Sequence, residues 1–177
     1  MGRNDELRED LFRELVHRQS RFVFRVAYAV LRNVHDAEDA VQDTFLKLYR
    51  SGAWQEMQDE RAFLARSAWR IAVDKLPKRA QNTSQDDADL LEPVSSKPTP
   101  EQAAMAADSR RLVHQLIDSL PEELRQPLAL STVEELSSVE IAAVMSIPEG
   151  TVRTRLMRAR GILKEKLAAM MDGRYAR

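Results

Sequence analysis

The chain has 177 residues, which is enough for one medium-sized domain or two small ones. Its net charge of −1 excludes a uniformly basic nucleic-acid coat, so any DNA binding has to come from charge that is segregated along the chain. The absence of cysteine excludes disulfides, thiolate zinc sites and a cysteine nucleophile. With only five glycines and few alternating β-branched runs, the sequence predicts an all-α protein.

The first part of the chain shows the apolar spacing of helices. Leucines four residues apart predict an amphipathic helix over residues 5–19, and a more apolar helix is predicted over 22–31. A turn follows, and Asp36 is a good N-cap for a third helix, which we expect to end shortly before Gly52. A fourth helix is predicted over 61–76, after a loop.

Two surfaces of opposite charge are predicted in this part of the chain. The third helix places two acids and an amide on one outer face: Asp39, Gln42 and Asp43. A solvated helix start is the ordinary interpretation of that face. The loop at 51–59 and the fourth helix combine cations with two indole rings: Trp54, Arg61, Arg66, Trp69, Arg70 and Lys75. Cations interleaved with a ring suit a single-strand groove, whereas the alternative is that Trp69 is half-buried core and the cations are solvated.

Residues 81–107 differ in composition from the chain on either side. They hold three of the seven prolines, many polar residues and an excess of acids over lysine. Low hydrophobicity with net negative charge predicts a flexible acidic linker. We therefore expect two small helical domains, at 5–80 and 108–172.

Beyond the linker the helical pattern returns. Helices are predicted over 99–119 and 122–132, and Pro127 should bend or shorten the second of them. A short helix follows, which either Ser137 or Ser138 can cap, because their hydroxyls accept a bond from an unpaired backbone N–H. This short helix is expected to end before Pro148, a residue that suits the first position of the next helix.

The last predicted helix has an apolar stripe and a basic surface. The stripe recurs at helical spacing: Val152, Leu156, Ala159 and Leu163. The remaining surface is rich in arginine and threonine: Thr151, Arg153, Thr154, Arg155, Met157 and Arg158. This combination predicts a helix-turn-helix whose basic recognition helix binds DNA. The alternative, a helical hairpin with solvated arginines, leaves the small Ala142, Gly150 and the mixture of threonine with arginine unexplained.

Residues for other kinds of site are scarce. The three histidines are far apart with no metal-ligand spacing, and no phosphate-binding glycine loop or nucleophile elbow occurs. We predict a protein that is not an enzyme and that carries neither a metal nor a cofactor. The polar N-terminus does not resemble a secretory signal, and the longest apolar stretch is too short to span a membrane, so we expect a cytoplasmic protein without membrane insertion.

Four segments together resemble bacterial RNA polymerase sigma factors. Residues 36–50 and 63–76 are similar to the second conserved region of that family, and residues 120–131 and 140–167 are similar to the fourth. Because only these two regions occur, joined by a short linker, the layout resembles the extracytoplasmic-function (ECF) group. The resemblance implies a transcription initiation factor that binds core RNA polymerase, directs it to promoters and opens DNA at the minus-ten element.

The resemblance also implies partners for the predicted surfaces. Core polymerase would be bound through the flap of its second-largest subunit and the clamp helices of its largest, the latter on the acidic face: Asp39, Gln42 and Asp43. The loop and the fourth helix would capture a flipped base of the minus-ten element. The implied readers of the minus-thirty-five element are Arg153, Thr154, Met157 and Arg158. Thr151 and Arg155 would hold phosphates, and an anti-sigma factor is the expected inhibitor.

The chain departs from the family pattern at four places. Arg70 stands where the family usually has asparagine, and Leu76-Pro77 interrupts a run that is usually basic. Glu135 stands where a glycine is common before the helix-turn-helix, and Met145-Ser146 replaces a common Leu-Gly pair. The first two departures lie in the segment that is expected to contact the minus-ten element. The last two lie in the turns before and after the short helix of the helix-turn-helix.

A stand-alone helix-turn-helix transcriptional regulator is the alternative function. Its first domain would bind a ligand or dimerise, and it would bind a duplex operator without polymerase. The acidic 39–43 face, paired with a basic and aromatic helix, argues against this alternative. In vitro transcription with core polymerase separates the two.

Overall fold

The computed structural model describes residues 2–79, 112–113, 115–133 and 135–175, and the predicted linker at 81–107 lies outside them. Throughout the described residues all regular structure is helical, which confirms the predicted class. The described residues divide into two compact units, with 2–79 in the first and most of 112–175 in the second. Each unit has its own buried apolar side chains.

Three helices form the first unit: α1 (Gly2–Leu31), α2 (Val34–Ser51) and α3 (Glu60–Arg79), with a 3₁₀ turn at Ala53–Gln55 before α3. Each helix contacts the other two. Fully buried side chains line the centre: Val23, Val26, Leu31, Ala40, Leu64 and Ala68. Burying a valine or leucine side chain contributes about 1.5–3 kcal/mol, so this shared core fixes where the polar faces of α2 and α3 lie.

The first predicted pair of helices is one continuous helix, so the expected division near Ser20 is wrong. No glycine or proline interrupts the chain there, and the Ser20 hydroxyl donates to the Val16 carbonyl one turn earlier. α1 is tied to the start of α3 by Glu60, which accepts from the Arg18 guanidinium at 2.7 Å and from the Gln19 amide. One uninterrupted helix thus packs against both α2 and α3.

The two ends of α2 differ in how well they were predicted. Asn33 is the N-cap in place of Asp36, because its side-chain oxygen accepts from the Asp36 backbone N–H at 2.9 Å. Asp36 instead enters the first turn, where the helix dipole favours its charge. Gly52 ends the helix as predicted, with φ 71°, and its N–H donates to the Leu48 carbonyl at 3.0 Å.

Prolines lie inside two of the described helices, and neither proline ends its helix. α3 runs past Leu76 with Pro77 in its last turn, where the missing N–H leaves only one carbonyl without its usual donor. In the second unit, α4 (Glu122–Val133) continues through the buried Pro127. The missing N–H there affects only the carbonyl of Glu123, an exposed residue in the first turn, so the helix is not shortened.

The second unit contains helical residues at 112–113 and 115–118, then α4, α5 (Ser138–Met145) and α6 (Glu149–Tyr175). The start of the helix predicted over 99–119 lies outside the described residues. α4 packs against α6. The buried side chains are mostly aliphatic: Leu116, Leu120, Leu124, Leu128, Leu130, Ile141, Val152, Leu156 and Ala159. Since the apolar stripe of α6 faces this core, the polar side of α6 is left to solvent.

Candidate nucleic-acid and polymerase interfaces

The helix-turn-helix begins with a reciprocal cap on α5. The Ser137 hydroxyl accepts from the Glu140 backbone N–H at 3.3 Å, and the Glu140 carboxylate accepts from the Ser137 backbone N–H at 2.7 Å. This is a capping box, in which two otherwise unpaired N–H groups are satisfied by side chains. Of the two serines that the sequence left open, Ser137 is therefore the cap, and Ser138 has another partner.

The turns on both sides of α5 use left-handed backbone without glycine. Glu135 has φ 53° before the helix, and Ser146 has φ 55° after it. These are two of the positions where the chain departs from the family pattern, so the conformation that glycine favours is present without glycine. It costs a residue with a Cβ about 1–2 kcal/mol. α6 then starts at Glu149, so Pro148 precedes the helix instead of occupying its first position.

α6 presents the predicted DNA-contacting residues away from the core. The predicted stripe has three buried members and a half-buried last one: Val152, Leu156, Ala159 and Leu163. Four of the predicted contact residues are exposed: Arg153, Thr154, Met157 and Arg158. Thr151 and Arg155 are half-buried. Met157 is 68% exposed, so an apolar side chain stands among cations where it can meet a thymine methyl group.

Arg153 is held by an ion pair that was not predicted from the sequence. Its Nη2 and Nε atoms lie 2.6 Å and 2.9 Å from Glu149 Oε1. The same oxygen accepts from the Ser138 hydroxyl at 2.8 Å, so the contact joins the first residues of α5 and α6. The hydrogen bond from Ser138, and then that from Arg153, lowers the pKa of the Glu149 carboxyl below its usual value. The i, i+4 spacing of Glu149 and Arg153 was a readable signal for the ion pair, whereas nothing local pointed to Ser138.

The acidic face of α2 is exposed, and one of its carboxylates is paired. Asp39, Gln42 and Asp43 are exposed side chains of the same helix. Asp43 Oδ2 lies 2.6 Å from Nζ of Lys75 in α3, and the two side chains are 52% and 27% exposed. A predicted polymerase contact and a predicted DNA contact therefore neutralise each other. Because the partners belong to different helices, no local pattern revealed this pair.

A pocket of about 290 Å³ lies between α2, the 3₁₀ turn and α3. Two predicted minus-ten residues, Arg66 and Arg70, line it, and Lys47 adds a cation that was not predicted. Apolar and hydroxyl groups complete the lining: Thr44, Leu48, Ser51, Ala53, Phe63, Ser67 and Ile71. The volume is near the lower limit of small-ligand pockets, about 300 Å³. Cations around partly apolar walls suit a base together with its phosphates.

The two indoles predicted to face DNA lie against the protein. Trp54 is half-buried and packs on Phe12 of α1, with ring centroids 5.2 Å apart. Trp69 is 8% exposed, which agrees with the alternative interpretation of a core residue. Arg61 lies over the Phe22 ring, 4.3 Å from its centroid. Since a stacking ring needs an open face, the structure favours a supporting role for Trp69.

Neither a metal cluster nor a membrane-spanning helix is found in the part of the chain that the structure describes. No cluster of three or more histidine and acidic side chains is placed there to hold a metal ion. None of the described helices combines the length and the apolar character that a membrane span requires. The candidates that remain are the exposed side of α6, the acidic face of α2 and the cationic pocket.

Comparison with known proteins matches both units. The family model for sigma-70 region 2 matches residues 15–82, and the model for sigma-70 region 4 matches residues 110–163. The chain is 28% identical over 169 residues to the ECF RNA polymerase sigma factor SigW of Bacillus subtilis (strain 168), with 90% of each chain covered. It is 33% identical over 164 residues to the ECF RNA polymerase sigma-E factor of Salmonella typhimurium (strain 14028s / SGSC 2262), with 85% of each covered.

A solved structure has a similar fold. It is the sigma factor RpoE in complex with the anti-sigma factor NepR from Bartonella quintana, and its TM-score to this chain is 0.66. The sequence identity is 21%, and the match covers 89% of this chain and 96% of that one. At this identity the likeness concerns the fold alone.

Proposed function

The chain belongs to the extracytoplasmic-function sigma factors and is a transcription initiation factor, and we propose that its two units divide the work between RNA polymerase and promoter DNA. One observation carries this proposal. A single chain has an exposed threonine–arginine helix face and, in a separate unit, a cationic pocket together with an acidic face. These three features suit duplex DNA, an opened strand and a basic protein partner respectively.

The exposed side of α6 would read the minus-thirty-five element in the major groove. Four side chains are available for base edges: Arg153, Thr154, Met157 and Arg158. Each good side-chain-to-base pair discriminates against the wrong base by about 1–3 kcal/mol. Thr151 and Arg155 would hold phosphates, which fix the register without reading the sequence.

The pocket of the first unit would take an unstacked base of the minus-ten element. Flipping a base costs roughly a few kcal/mol, which contacts in the pocket have to offset. Lys47, Arg66 and Arg70 supply positive charge for the flanking phosphates, and Phe63 supplies an aromatic wall. The other predicted minus-ten residues do not line this pocket: Trp54, Arg61, Trp69 and Lys75. We propose that the two tryptophans support the unit and that Lys75 meets phosphate after it leaves Asp43.

The acidic face of α2 would bind the clamp helices of the largest polymerase subunit through Asp39, Gln42 and Asp43. The second domain, proposed at 108–172, would bind the flap of the second-largest subunit. Core polymerase would then hold this domain and the first, at 5–80, on one promoter. Tethering raises the effective concentration of the second contact, so each domain alone need bind DNA only weakly.

We propose an anti-sigma factor as the regulator. A partner that covered the acidic face and α6 would exclude polymerase and DNA together, and the similar RpoE structure is a complex with an anti-sigma factor. Because the chain has no cysteine, a redox signal could not act through its own thiols and would have to act on the partner. We further propose that the protein works in the cytoplasm and catalyses no reaction itself.

In vitro transcription with purified core polymerase and a promoter library tests this proposal. We expect new start sites that require the full-length chain and that share two conserved upstream elements. A stand-alone regulator would bind a duplex operator without polymerase and create no start sites. If no promoter is selected while any anti-sigma factor is absent, the proposed division of work is wrong.

A further inference from the structure

Two neighbouring serines at the start of α5 have different partners. Ser137 closes the cap with Glu140 inside its own helix. Ser138 donates across the turn to Glu149, at 2.8 Å. The second bond adds nothing to the cap of α5, so its consequence lies at Glu149.

Glu149 acts on Arg153 through one carboxylate oxygen. Its Oε1 accepts from two nitrogens of the guanidinium, Nη2 and Nε, while the Ser138 hydroxyl binds the same atom and orients the carboxylate. The Arg153 side chain is 71% exposed, and an exposed arginine without such a partner samples many rotamers. The pairing turns one edge of the guanidinium towards Glu149 and leaves the Nη1 edge for DNA.

We propose that Ser138 and Glu149 are positioning residues that set how strongly Arg153 prefers its base. The inference rests on the proposed function, in which Arg153 reads the minus-thirty-five element. A guanidinium that is oriented before binding loses less rotamer freedom on contact and presents one donor edge instead of several. Ser138 takes part because it holds the carboxylate that holds Arg153.

Glu149 has two effects of opposite sign on DNA binding. Its charge repels phosphates, so removing that charge strengthens or preserves binding to unrelated DNA. Its ion pair with Arg153 increases the preference for one base, so removing the ion pair lowers that preference at the position that Arg153 reads. An exposed ion pair shifts an equilibrium by about 1.5- to 5-fold, which bounds this loss. A merely structural role of Glu149 would lower both kinds of binding together.

The test is selection from a promoter library whose upstream element is randomised, with holoenzyme formed from the full-length chain and core polymerase. Sequencing of the bound DNA gives the base preference at each position. Arg153→Ala identifies the position that Arg153 reads. We expect Ser138→Ala and Glu149→Gln to lower the preference at that position by about two- to fivefold, without changing positions that depend on Arg158. Ser138→Ala added to Arg153→Ala should cause no further loss.

Ser137→Ala is the matched control, because it removes the same hydroxyl from the neighbouring residue. Loss of the cap should lower thermal stability while the base preferences stay those of the wild type. Glu165→Gln, at an exposed position of the same helix, removes an equal charge and controls for charge alone. Neither control touches Arg153 in the structure.

Three outcomes overturn the inference. Wild-type preferences in Ser138→Ala and Glu149→Gln, alongside a lost position in Arg153→Ala, would contradict it and leave the proposed function intact. A loss spread evenly over all positions would also contradict it, because it indicates a general defect of the unit. If the wild-type holoenzyme selects no sequence at all, the proposed function fails and the inference fails with it.

Discussion

The two units differ in how their functional side chains are assembled. In the second unit the residues proposed to contact DNA belong to a single helix, α6, whose other side is buried. In the first unit the candidates come from α2, the 3₁₀ turn and α3, and several already have partners within the unit. Asp43 is paired with Lys75, and Arg61 lies over Phe22. The residues that form a face on one helix can be predicted from the helical period, whereas the residues that form a site shared by several elements depend on how those elements pack.

This difference affects how mutations should be designed. A substitution on the outer side of α6 removes one contact and leaves the core intact. A substitution in the first unit also releases a partner, as when loss of Asp43 frees Lys75. Experiments on the first unit therefore need paired variants, whereas single variants suffice for most of α6.

The largest expected effect belongs to the acidic face of the first unit. Asp43→Arg should weaken association with core polymerase by about tenfold or more, because like charges brought together at an interface cost roughly several kcal/mol. A competition assay for core polymerase measures this loss. An unchanged affinity would contradict the clamp assignment.

A charge swap separates the external role of Asp43 from its internal one. The double variant Asp43→Lys, Lys75→Asp retains an ion pair between α2 and α3 but inverts the exposed charge on α2. We expect it to bind core polymerase as poorly as Asp43→Arg. Wild-type affinity in the swap would mean that Asp43 serves only to hold Lys75.

The next effect belongs to the single-helix face of the second unit. Arg158→Ala should reduce promoter-specific binding by about 1–3 kcal/mol while leaving core association intact, because the side chain is exposed and lies opposite the buried stripe. Arg160→Ala, the next exposed arginine but outside the predicted set, should weaken binding to all sequences alike. Loss of core binding in Arg158→Ala would remove the proposed division between the units.

A smaller effect concerns the turn that precedes α6. Ser146→Gly should stabilise the second unit by about 1 kcal/mol, because glycine adopts the left-handed conformation of this residue without the Cβ penalty. Differential scanning calorimetry would show this as a higher Tm for the second unit. Ser146→Ala, which keeps a Cβ, should bring no gain. Equal stability of all three proteins would mean that this turn stores no strain.

The smallest effect is the pH response of Glu149. Its pKa is lowered in the folded state by the bonds from Ser138 and Arg153, so the stabilisation is present above the ordinary glutamate pKa and is lost as pH falls through the lowered value. An NMR titration of the carboxyl carbon should give a higher pKa in Ser138→Ala than in the wild type. The stabilities of the wild type and Glu149→Gln should converge under acidic conditions. An ordinary Glu149 pKa in the wild type would contradict the network.

Most features of the second unit could be predicted from local sequence signals. The break at Pro148, the apolar stripe and the arginine row all lie within a short stretch, and the structure confirms the helices and the buried stripe. Even the choice between Ser137 and Ser138 had a signal, because Glu140 stands three residues after Ser137 as a capping box requires. The DNA-reading roles of the exposed residues stay predictions.

Fewer features of the first unit were predicted correctly from the sequence. Its helices were recognised, but the division of α1 near Ser20 and the Asp36 cap were wrong, since no breaker is present at the first position and Asn33 outcompetes Asp36 at the second. The burial of Trp69 was only the alternative interpretation, and the pairing of Asp43 with Lys75 had no local signal. The domain boundaries stay predictions too, because the proposed linker lies outside the described residues.

The sequence by itself determined the helical class, the resemblance to ECF sigma factors and the exposed polar side of α6, because period, capping and charge within one helix are local properties. Only the tertiary structure decided which cations of α2 and α3 surround a pocket, which are paired with acids, and that Ser138 reaches Glu149. The physical reason is that the distance between side chains on different helices is set by close packing of the core between them, and no spacing along the chain encodes it directly.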